Sequence, residues 1–135
     1  MKKTTAFVVG TFDTKSAELN YIQSVLTASG ISIQTVDLST SNHESTADIK
    51  PQQVASIHPD GAGAVFTGDR GTAVSGMAYA FEKWTSEQSD NIAGMISAGG
   101  SGGTALSTPA MRALPIGTPK VMVSTVASGL SLIHI

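Results

Sequence analysis

Short apolar runs, each ending at a glycine or a polar residue, recur along this chain. Residues 6–9 are all apolar and are followed by Gly10. A run of this kind is typical of a strand that is buried on both faces of a sheet. Similar patterns predict three more strands, at residues 31–37, 92–98 and 120–124.

Apolar stripes at helical spacing lie between the predicted strands. The first stripe consists of Leu19, Ile22 and Leu26, and this spacing places all three on one face of a helix. Asp13 or Thr14 can cap the start of that helix, because both side chains carry an oxygen that accepts from a backbone N–H. The pattern therefore predicts a helix between the first two strands.

The second half of the chain predicts three further helical segments. Asp69 opens the clearest one, because an apolar stripe follows it at spacings of three and four residues. A short piece follows the third strand, and Thr108-Pro109 suits the first positions of a separate piece after it. Residues 38–48 are rich in serine, threonine and asparagine and predict a loop. The stripe after Asp69 consists of Val74, Met77, Phe81 and Trp84.

The order of the elements predicts an α/β fold. Strands that alternate with helices form a parallel sheet with right-handed crossovers, and we expect an open, Rossmann-like sheet of about four strands in the order 2-1-3-4, with helices on both faces. Ligands bind such sheets beyond the carboxyl ends of the strands, where the strand order reverses. The loops at residues 10–15 and 99–104 meet at that point.

The length of the chain fits one domain. We expect this domain to span residues 1–129. The last six residues, 130–135, read Leu-Ser-Leu-Ile-His-Ile and resemble a translated transposon-end sequence. We therefore interpret them as a non-native tail on a C-terminally truncated domain.

Composition narrows the classes of function. The net charge is −2, whereas general nucleic-acid and membrane-surface binders carry basic patches. The chain has no cysteine, which excludes disulfides and thiolate metal sites and fits a reducing compartment. No apolar run reaches the length of a membrane span. We expect a cytoplasmic protein that binds neither nucleic acid nor a membrane.

The glycine cluster after the third strand is the strongest candidate for chemistry. Four glycines within five positions cost backbone entropy, but they allow a ligand to approach the backbone closely. A helix start behind them adds positive potential, and phosphate suits such a site. The cluster consists of Gly99, Gly100, Ser101, Gly102, Gly103 and Thr104.

The cluster matches one of three known glycine-containing motifs. It is not a Walker A loop, because no Lys-Ser or Lys-Thr follows the last glycine, and the dinucleotide fingerprint would lie after the first strand. The cluster does match G-x-S-x-G, the nucleophile elbow of serine hydrolases. However, no aspartate or glutamate follows Gly99, and the only later histidine is His134. The pattern favours phosphate binding over nucleophilic catalysis by Ser101.

Charged residues near the same sheet edge are further candidates. Asp13 could hold a ribose or a metal-bound water, and Lys15 could neutralise phosphate. Arg70 could fork onto phosphate oxygens. Asp37 ends the second strand, where ribose-binding acids often lie. The remaining candidates beside these are Thr14, Asp69 and Gly71.

Two histidines lie in polar loops of the chain. His43 and His58 have no second ligand at metal-binding spacing. We interpret both as solvated side chains, and we predict no metal site of the protein's own.

Several motifs together resemble one known family of uncharacterised bacterial and plant proteins. The family includes the ATP-binding inhibitory domain of a tomato mosaic virus resistance protein, and the resemblance spans roughly residues 5–129. Its motifs occur here in the same order. They are Gly10-Thr11-Phe12-Asp13-Thr14-Lys15, Asp69-Arg70-Gly71, residues 99–104, residues 114–121 and Ser124-Thr125-Val126-Ala127-Ser128-Gly129.

The resemblance implies an ATP-binding α/β domain, with Mg²⁺ as a possible companion of the nucleotide, followed by a second domain. It implies that Gly10, Thr11 and the glycine cluster frame the nucleotide, while Ser124, Thr125 and Ser128 close the site. We expect a regulatory or assembly role and a homo-oligomer for the full-length protein. The alternative is an enzyme acting on a phosphorylated or acyl small molecule, with catalytic residues partly in the second domain.

Overall fold

The structure, a computed structural model, describes residues 5–124. It contains a four-stranded parallel sheet in the order β2-β1-β3-β4, which confirms the predicted fold class and strand order. The tail at residues 130–135 and the expected domain limit at Gly129 lie outside the described residues. The strands are β1 (Thr5–Gly10), β2 (Ser32–Asp37), β3 (Ile92–Gly99) and β4 (Lys120–Ser124); the helices are α1 (Phe12–Ala28), α2 (Pro51–Ala55), α3 (Arg70–Gln88) and α4 (Ser101–Ala113).

Strand β1 lies at the centre of the sheet, and its residues alternate between the two faces. Phe7 and Val9 belong to the larger core, which contains the buried residues of α3 and α4. Val8 faces the other way and packs with Leu19 of α1. Helix α1 therefore covers one face of the sheet, and α3 and α4 cover the other.

The larger core contains an aromatic cluster that links α3 to the sheet. The Trp84 ring lies edge-on to Phe7 at a centroid distance of 5.6 Å and stacks on Phe81 at 5.7 Å. Met77 and Phe81 have no exposed surface, and burying one such side chain contributes about 1.5–3 kcal/mol. The predicted stripe of α3 is confirmed as the face that anchors this helix.

Helix α1 starts differently from the prediction. Its N-cap is Thr11, whose side chain makes no capping bond, and Asp13 and Thr14 lie inside the first turn. The prediction that Asp13 or Thr14 caps the helix is therefore wrong. Lys15 has non-helical backbone angles, with φ −124° and ψ 23°, so the helix is kinked where its first turn meets the sheet edge.

Helix α4 is continuous through Pro109, so the predicted break at Thr108-Pro109 is wrong. Proline lacks the N–H that would bond to the carbonyl four residues earlier, which normally kinks or ends a helix. Leu106, Ala110 and Met111 flank the proline and are buried against the core. Their packing keeps the chain helical, because tertiary contacts outweigh local propensity.

Helix α3 starts as the sequence predicts. Asp69 is its N-cap and accepts a 2.9 Å hydrogen bond from the backbone N–H of Thr72. Among residues 5–124, no helix is both long enough and apolar enough to cross a membrane.

Candidate functional site

A cleft opens at the carboxyl ends of β1 and β3, where the strand order reverses. It has a volume of about 350 Å³, within the range of roughly 300–1,000 Å³ that is typical of small-molecule sites. The starts of α1 and α3 form its walls and the start of α4 forms its floor. We call it the glycine cleft. Nine predicted site residues line it: Thr11, Asp13, Thr14, Lys15, Arg70, Gly100, Ser101, Gly102 and Gly103.

The start of α4 forms the floor of the glycine cleft. Its N-cap is Gly100, and no side chain caps it among the residues described. The first intrahelical bond runs from the N–H of Thr104 to the carbonyl of Gly100, at 2.9 Å. The N–H groups of Ser101, Gly102 and Gly103 precede it and have no acceptor within a regular helix. They present a set of donors and the positive end of the helix dipole.

The glycines at this helix start serve by lacking a side chain. A Cβ on Gly99 would lie 3.1 Å from the Cα of Gly103, so a side chain there would push the start of α4 away from β3. A Cβ on Gly102 would lie 3.0 Å from Nη2 of Arg70. Neither glycine has the positive φ that is disfavoured for other residues. Neighbouring atoms therefore approach both glycines closely, the backbone at Gly99 and the movable end of an arginine side chain at Gly102.

Arg70 brings a guanidinium to the α4 start from the first turn of α3. The same 3.0 Å distance places its Nη2 beside Gly102. Lys15 supplies a second cation from α1, and its ammonium is 3.8 Å from Glu18. Both cations line the glycine cleft, and together with the N–H donors they make its floor suited to an anion.

One carboxylate also lines the glycine cleft. Asp13 is exposed, and its Oδ2 accepts a 2.8 Å hydrogen bond from the hydroxyl of Ser41. On the same wall, the hydroxyls of Thr11 and Thr14 are 2.9 Å apart. Among the residues that the structure describes, Asp13 is therefore the one acid in the glycine cleft that could accept a proton or a hydrogen bond from a ligand.

The start of α1 is closed by a buried carboxylate. Asp37 has no exposed surface, and its Oδ1 accepts from the backbone N–H of Phe12 at 3.2 Å. The next N–H, that of Asp13, donates to the hydroxyl of Ser39 at 3.2 Å. Asp37 and Ser39 thus take the donors that a ligand would otherwise meet at this helix start.

Four further contacts surround the Asp37 carboxylate. Ser39 donates to Oδ1 through its backbone N–H at 2.9 Å and its hydroxyl at 2.5 Å. Ser45 and Nε2 of His43 lie 2.7 Å and 2.8 Å from Oδ2. Burial works to raise the pKa of Asp37, but hydrogen bonds, chiefly from Ser39 and Ser45, outweigh it and lower that pKa. We call Asp37, Ser39, His43 and Ser45 the Asp37 cluster.

The Asp37 cluster changes the interpretation of two predicted residues. Asp37 was expected to contact a ribose, but it lies behind the wall of the glycine cleft with both oxygens engaged. His43 was expected to be solvated, which is wrong because it bonds to Asp37. His58 is also partnered: its Nδ1 accepts from the N–H of Asp60 at 3.0 Å, and its ring lies 5.3 Å from that of Tyr79.

The other predicted residues lie around the glycine cleft. A Cβ on Gly10 would lie 2.7 Å from Leu19, so this glycine permits the packing of α1. Thr104 bonds to the carbonyl of Gly100 and to Ser124, at 2.7 and 2.5 Å, which ties α4 to β4. Gly71 lines a shallow depression next to Gly102. Asp69 lines an adjoining cavity, whereas Thr125 and Ser128 lie outside the described residues.

The described residues contain no assembled hydrolytic or metal-binding centre. Ser101 begins α4 as the elbow pattern requires, but neither His43 nor His58 is bonded to it within residues 5–124. In the same part of the chain, no three histidine or acidic side chains are placed to hold a metal ion. Within residues 5–124, the glycine cleft therefore presents two cations and one carboxylate beside the start of α4.

Comparison with known proteins identifies the family. The N-terminal domain of the uncharacterised protein family UPF0261 matches residues 4–133. The chain belongs to this family. This result confirms the predicted resemblance, since the same family contains bacterial members and tomato proteins.

Three UPF0261 relatives illustrate the range of organisms. Proteins of Rhizobium meliloti and Mesorhizobium japonicum are 48% and 46% identical, each over 91% of this chain and 31% of the relative. The tomato ToMV resistance protein Tm-1 is 40% identical over 91% of this chain and 19% of its own length. The chain spans less than a third of the length of these relatives.

Proposed function

We propose that the glycine cleft binds the phosphates of a nucleotide, with ATP, alone or with Mg²⁺, as the ligand. The terminal phosphates would accept from the N–H groups of Ser101, Gly102 and Gly103. Arg70 would contact phosphate oxygens through its planar, two-pronged guanidinium, and Lys15 would act as a point charge. Any Mg²⁺ would arrive with the nucleotide, since phosphates and water supply most ligands of bound magnesium.

The start of α4 is the observation that carries this proposal. Its first N–H groups have no side-chain cap among the described residues, and two cations from other helices face the same space. Three sources of positive potential, separated by up to 88 positions in the sequence from Lys15 to Gly103, converge on one cleft. An anion with several oxygens is the ligand that can use all of them at once.

We further propose that the bound nucleotide serves regulation or assembly. Within the described residues, the glycine cleft offers one carboxylate, Asp13, and no histidine. A binding module needs the donors and cations alone. An enzyme acting on a phosphorylated or acyl molecule remains the alternative, in which Asp13 would act with residues beyond this chain.

Isothermal titration calorimetry with ATP, with and without Mg²⁺, tests the phosphate site. We expect Arg70→Ala to weaken binding about tenfold to a hundredfold, because hydrogen bonds to charged groups contribute about 1.5–3 kcal/mol. Arg112→Ala is the matched control, since this exposed arginine lies in the last turn of α4, at the end of that helix away from the glycine cleft. Equal affinities for Arg70→Ala and the unmodified protein would contradict the proposal.

A phosphate-release assay on the same samples separates the module from the enzyme. We expect binding of ATP without turnover. Steady release of phosphate that is abolished by Asp13→Asn, while ATP still binds, would favour the enzymatic alternative and would assign Asp13 as its base.

A further inference from the structure

A second cavity adjoins the glycine cleft. It has a volume of about 560 Å³ and shares Asp13, Thr40 and Arg70 with the glycine cleft. Its other walls come from the β2–α2 loop and from the segment that precedes α3, including Phe66 and Asp69. We call this cavity the side compartment. A ligand longer than a phosphate chain can extend from one space into the other past Arg70.

The two spaces differ in charge. Asp13 and Arg70 line both spaces, but the glycine cleft adds the cation of Lys15, whereas the side compartment adds the carboxylate of Asp69. Hydrogen bonds from the backbone N–H and the hydroxyl of Thr72 lower the pKa of Asp69, so it is ionised at neutral pH. With two carboxylates against the single cation of Arg70 among the described residues, the side compartment is less suited to a phosphate than the glycine cleft, while a group that donates hydrogen bonds would be attracted.

The walls of the side compartment are held by contacts within the protein. Asn42, whose φ is 58°, accepts a 2.9 Å hydrogen bond from Nε2 of Gln52, which ties the loop to α2. Phe66 is partly buried and packs against the larger core. Both Thr72 contacts to the Asp69 side chain use Oδ2. The site therefore combines an aromatic surface with carboxylate acceptors before any ligand enters.

We propose that the side compartment binds the nucleoside of the nucleotide, with ribose hydroxyls donating to Asp69 and Asp13 and the base packing against Phe66. This inference rests on the proposed phosphate site. The ribose contact that the sequence predicted for Asp37 is thereby assigned to Asp69 and Asp13, which line the side compartment. The Asp37 carboxylate is engaged by the protein itself, whereas Asp69 has lost only part of its acceptor capacity to the helix cap.

The ratio of the affinities for ATP and for tripolyphosphate measures the nucleoside contribution. Tripolyphosphate carries at least as much negative charge as ATP, so electrostatics alone do not favour ATP. We expect ATP to bind at least about tenfold more tightly, as one or two hydrogen bonds to a carboxylate would provide. Calorimetric titration of each ligand gives the ratio.

Asp69→Asn tests the proposed acceptor without removing the helix cap, because asparagine is an equally good N-cap residue. We expect the ATP-to-tripolyphosphate ratio to fall about tenfold, with no loss of affinity for tripolyphosphate. Asp90→Asn, an exposed acid preceding β3 at the opposite edge of the sheet, should leave both affinities unchanged. Phe66→Leu keeps an apolar side chain against the core. It should weaken the binding of ATP but not that of tripolyphosphate.

The possible outcomes separate the two proposals. If the unmodified protein binds ATP and tripolyphosphate equally tightly, the side compartment does not bind the nucleoside, and only the phosphate proposal is supported. If Asp69→Asn weakens both ligands alike, Asp69 acts through the helix cap and the inference is wrong. If neither ligand binds, the phosphate proposal fails and this inference fails with it.

Discussion

Two helices start at the same edge of the sheet, but in the described part of the chain side chains of the protein cap the N-terminus of only one of them. At α1, the first N–H groups donate to Asp37 and Ser39, at 3.2 Å each. At α4, no side chain within residues 5–124 caps the helix, and its first turn is glycine-rich. Both helices follow a parallel strand and a short turn. The difference lies in what stands opposite each helix start.

The comparison separates a helix start that the chain itself caps from one that residues 5–124 leave uncapped at the glycine cleft. The Asp37 carboxylate supplies α1 with an internal anion, which offsets the helix dipole and satisfies an N–H donor. Nothing equivalent from β4 reaches the start of α4 among the described residues, and Arg70 and Lys15 face it instead. One site is filled by the chain itself, and we propose that the other is filled by phosphate.

Removing the Asp37 carboxylate at the start of α1 should have the largest effect on stability. Asp37→Ala leaves Ser45, His43 and the N–H of Phe12 without their acceptor in a buried setting. We expect the free energy of unfolding to fall by about 3–5 kcal/mol, as for the loss of one partner in a buried charged network. Urea denaturation followed by circular dichroism measures this change.

The matched control for this stability measurement is Asp90→Ala, which removes an exposed acid and should change stability by less than about 0.5 kcal/mol. A loss below about 1 kcal/mol for Asp37→Ala would mean that the Asp37 cluster does not hold the α1 start, and that this end is as open as that of α4.

The pH dependence of stability offers a second view of the same carboxylate. The pKa of Asp37 is lowered in the folded state from its ordinary value of 3.8. Its contribution to stability is therefore fully present above pH 3.8 and is lost as the pH falls through the lowered pKa. We expect the acid side of the stability profile to be shallower in Asp37→Asn, measured by urea denaturation between neutral and acidic pH. Identical slopes would exclude this linkage.

The fold was predictable because its signals are local. Residues 6–9 of β1 form an uninterrupted apolar run, the other strands carry shorter apolar or β-branched patterns, and the stripe of Met77, Phe81 and Trp84 repeats at helical spacing. Alternation of the two element types then leaves few topologies. The error at Pro109 has the opposite origin, since the burial of Leu106 and Met111 against the larger core decides that segment.

The site was predictable only in part, because its contacts join distant positions. The expectation that loops 10–15 and 99–104 meet is confirmed by the lining of the glycine cleft. The role of Asp37 was missed, since its contact with Phe12 spans 25 positions and nothing local marks it. His43 gave no signal either, because a histidine in a polar loop looks the same whether it is solvated or bonded to a buried acid.

Substitution of Gly102 tests whether the start of α4 binds an anion. In Gly102→Ala the new Cβ would lie 3.0 Å from Nη2 of Arg70 and would displace the guanidinium. We expect tripolyphosphate affinity to fall about tenfold, the equivalent of one charge-assisted hydrogen bond. Stability should stay the same or rise by up to about 1 kcal/mol, since alanine favours a helix over glycine. Calorimetry and urea denaturation measure the two quantities.

Gly103→Ala is the control for Gly102→Ala, because it makes the same change one position later. Its Cβ would make only an ordinary contact, 3.9 Å from the carbonyl oxygen of Ala98. Alanine keeps the backbone N–H that the proposed site uses at this position, so Gly103→Ala should share any gain in helix stability and keep tripolyphosphate affinity close to that of the unmodified protein. If both variants bind tripolyphosphate as tightly as the unmodified protein, the position of the Arg70 guanidinium beside Gly102 does not matter for anion binding.

Substitution of Lys15 should have the smallest effect on anion affinity. This residue belongs to one helix start and faces the other. It belongs to α1, whose backbone donors are taken by the protein, yet its side chain lines the cleft at the start of α4. Its ion pair with Glu18, at 3.8 Å, is partly exposed, so Lys15→Ala should change stability by less than about 0.5 kcal/mol. We expect tripolyphosphate affinity to fall about twofold to fivefold at low salt and the difference to shrink as salt screens the charge. Lys83→Ala removes an exposed lysine of α3 that does not line the cleft, and it should show neither effect. Equal affinities for Lys15→Ala and Lys83→Ala at low salt would mean that α1 contributes no charge to the site, leaving α4 and Arg70 to bind the anion.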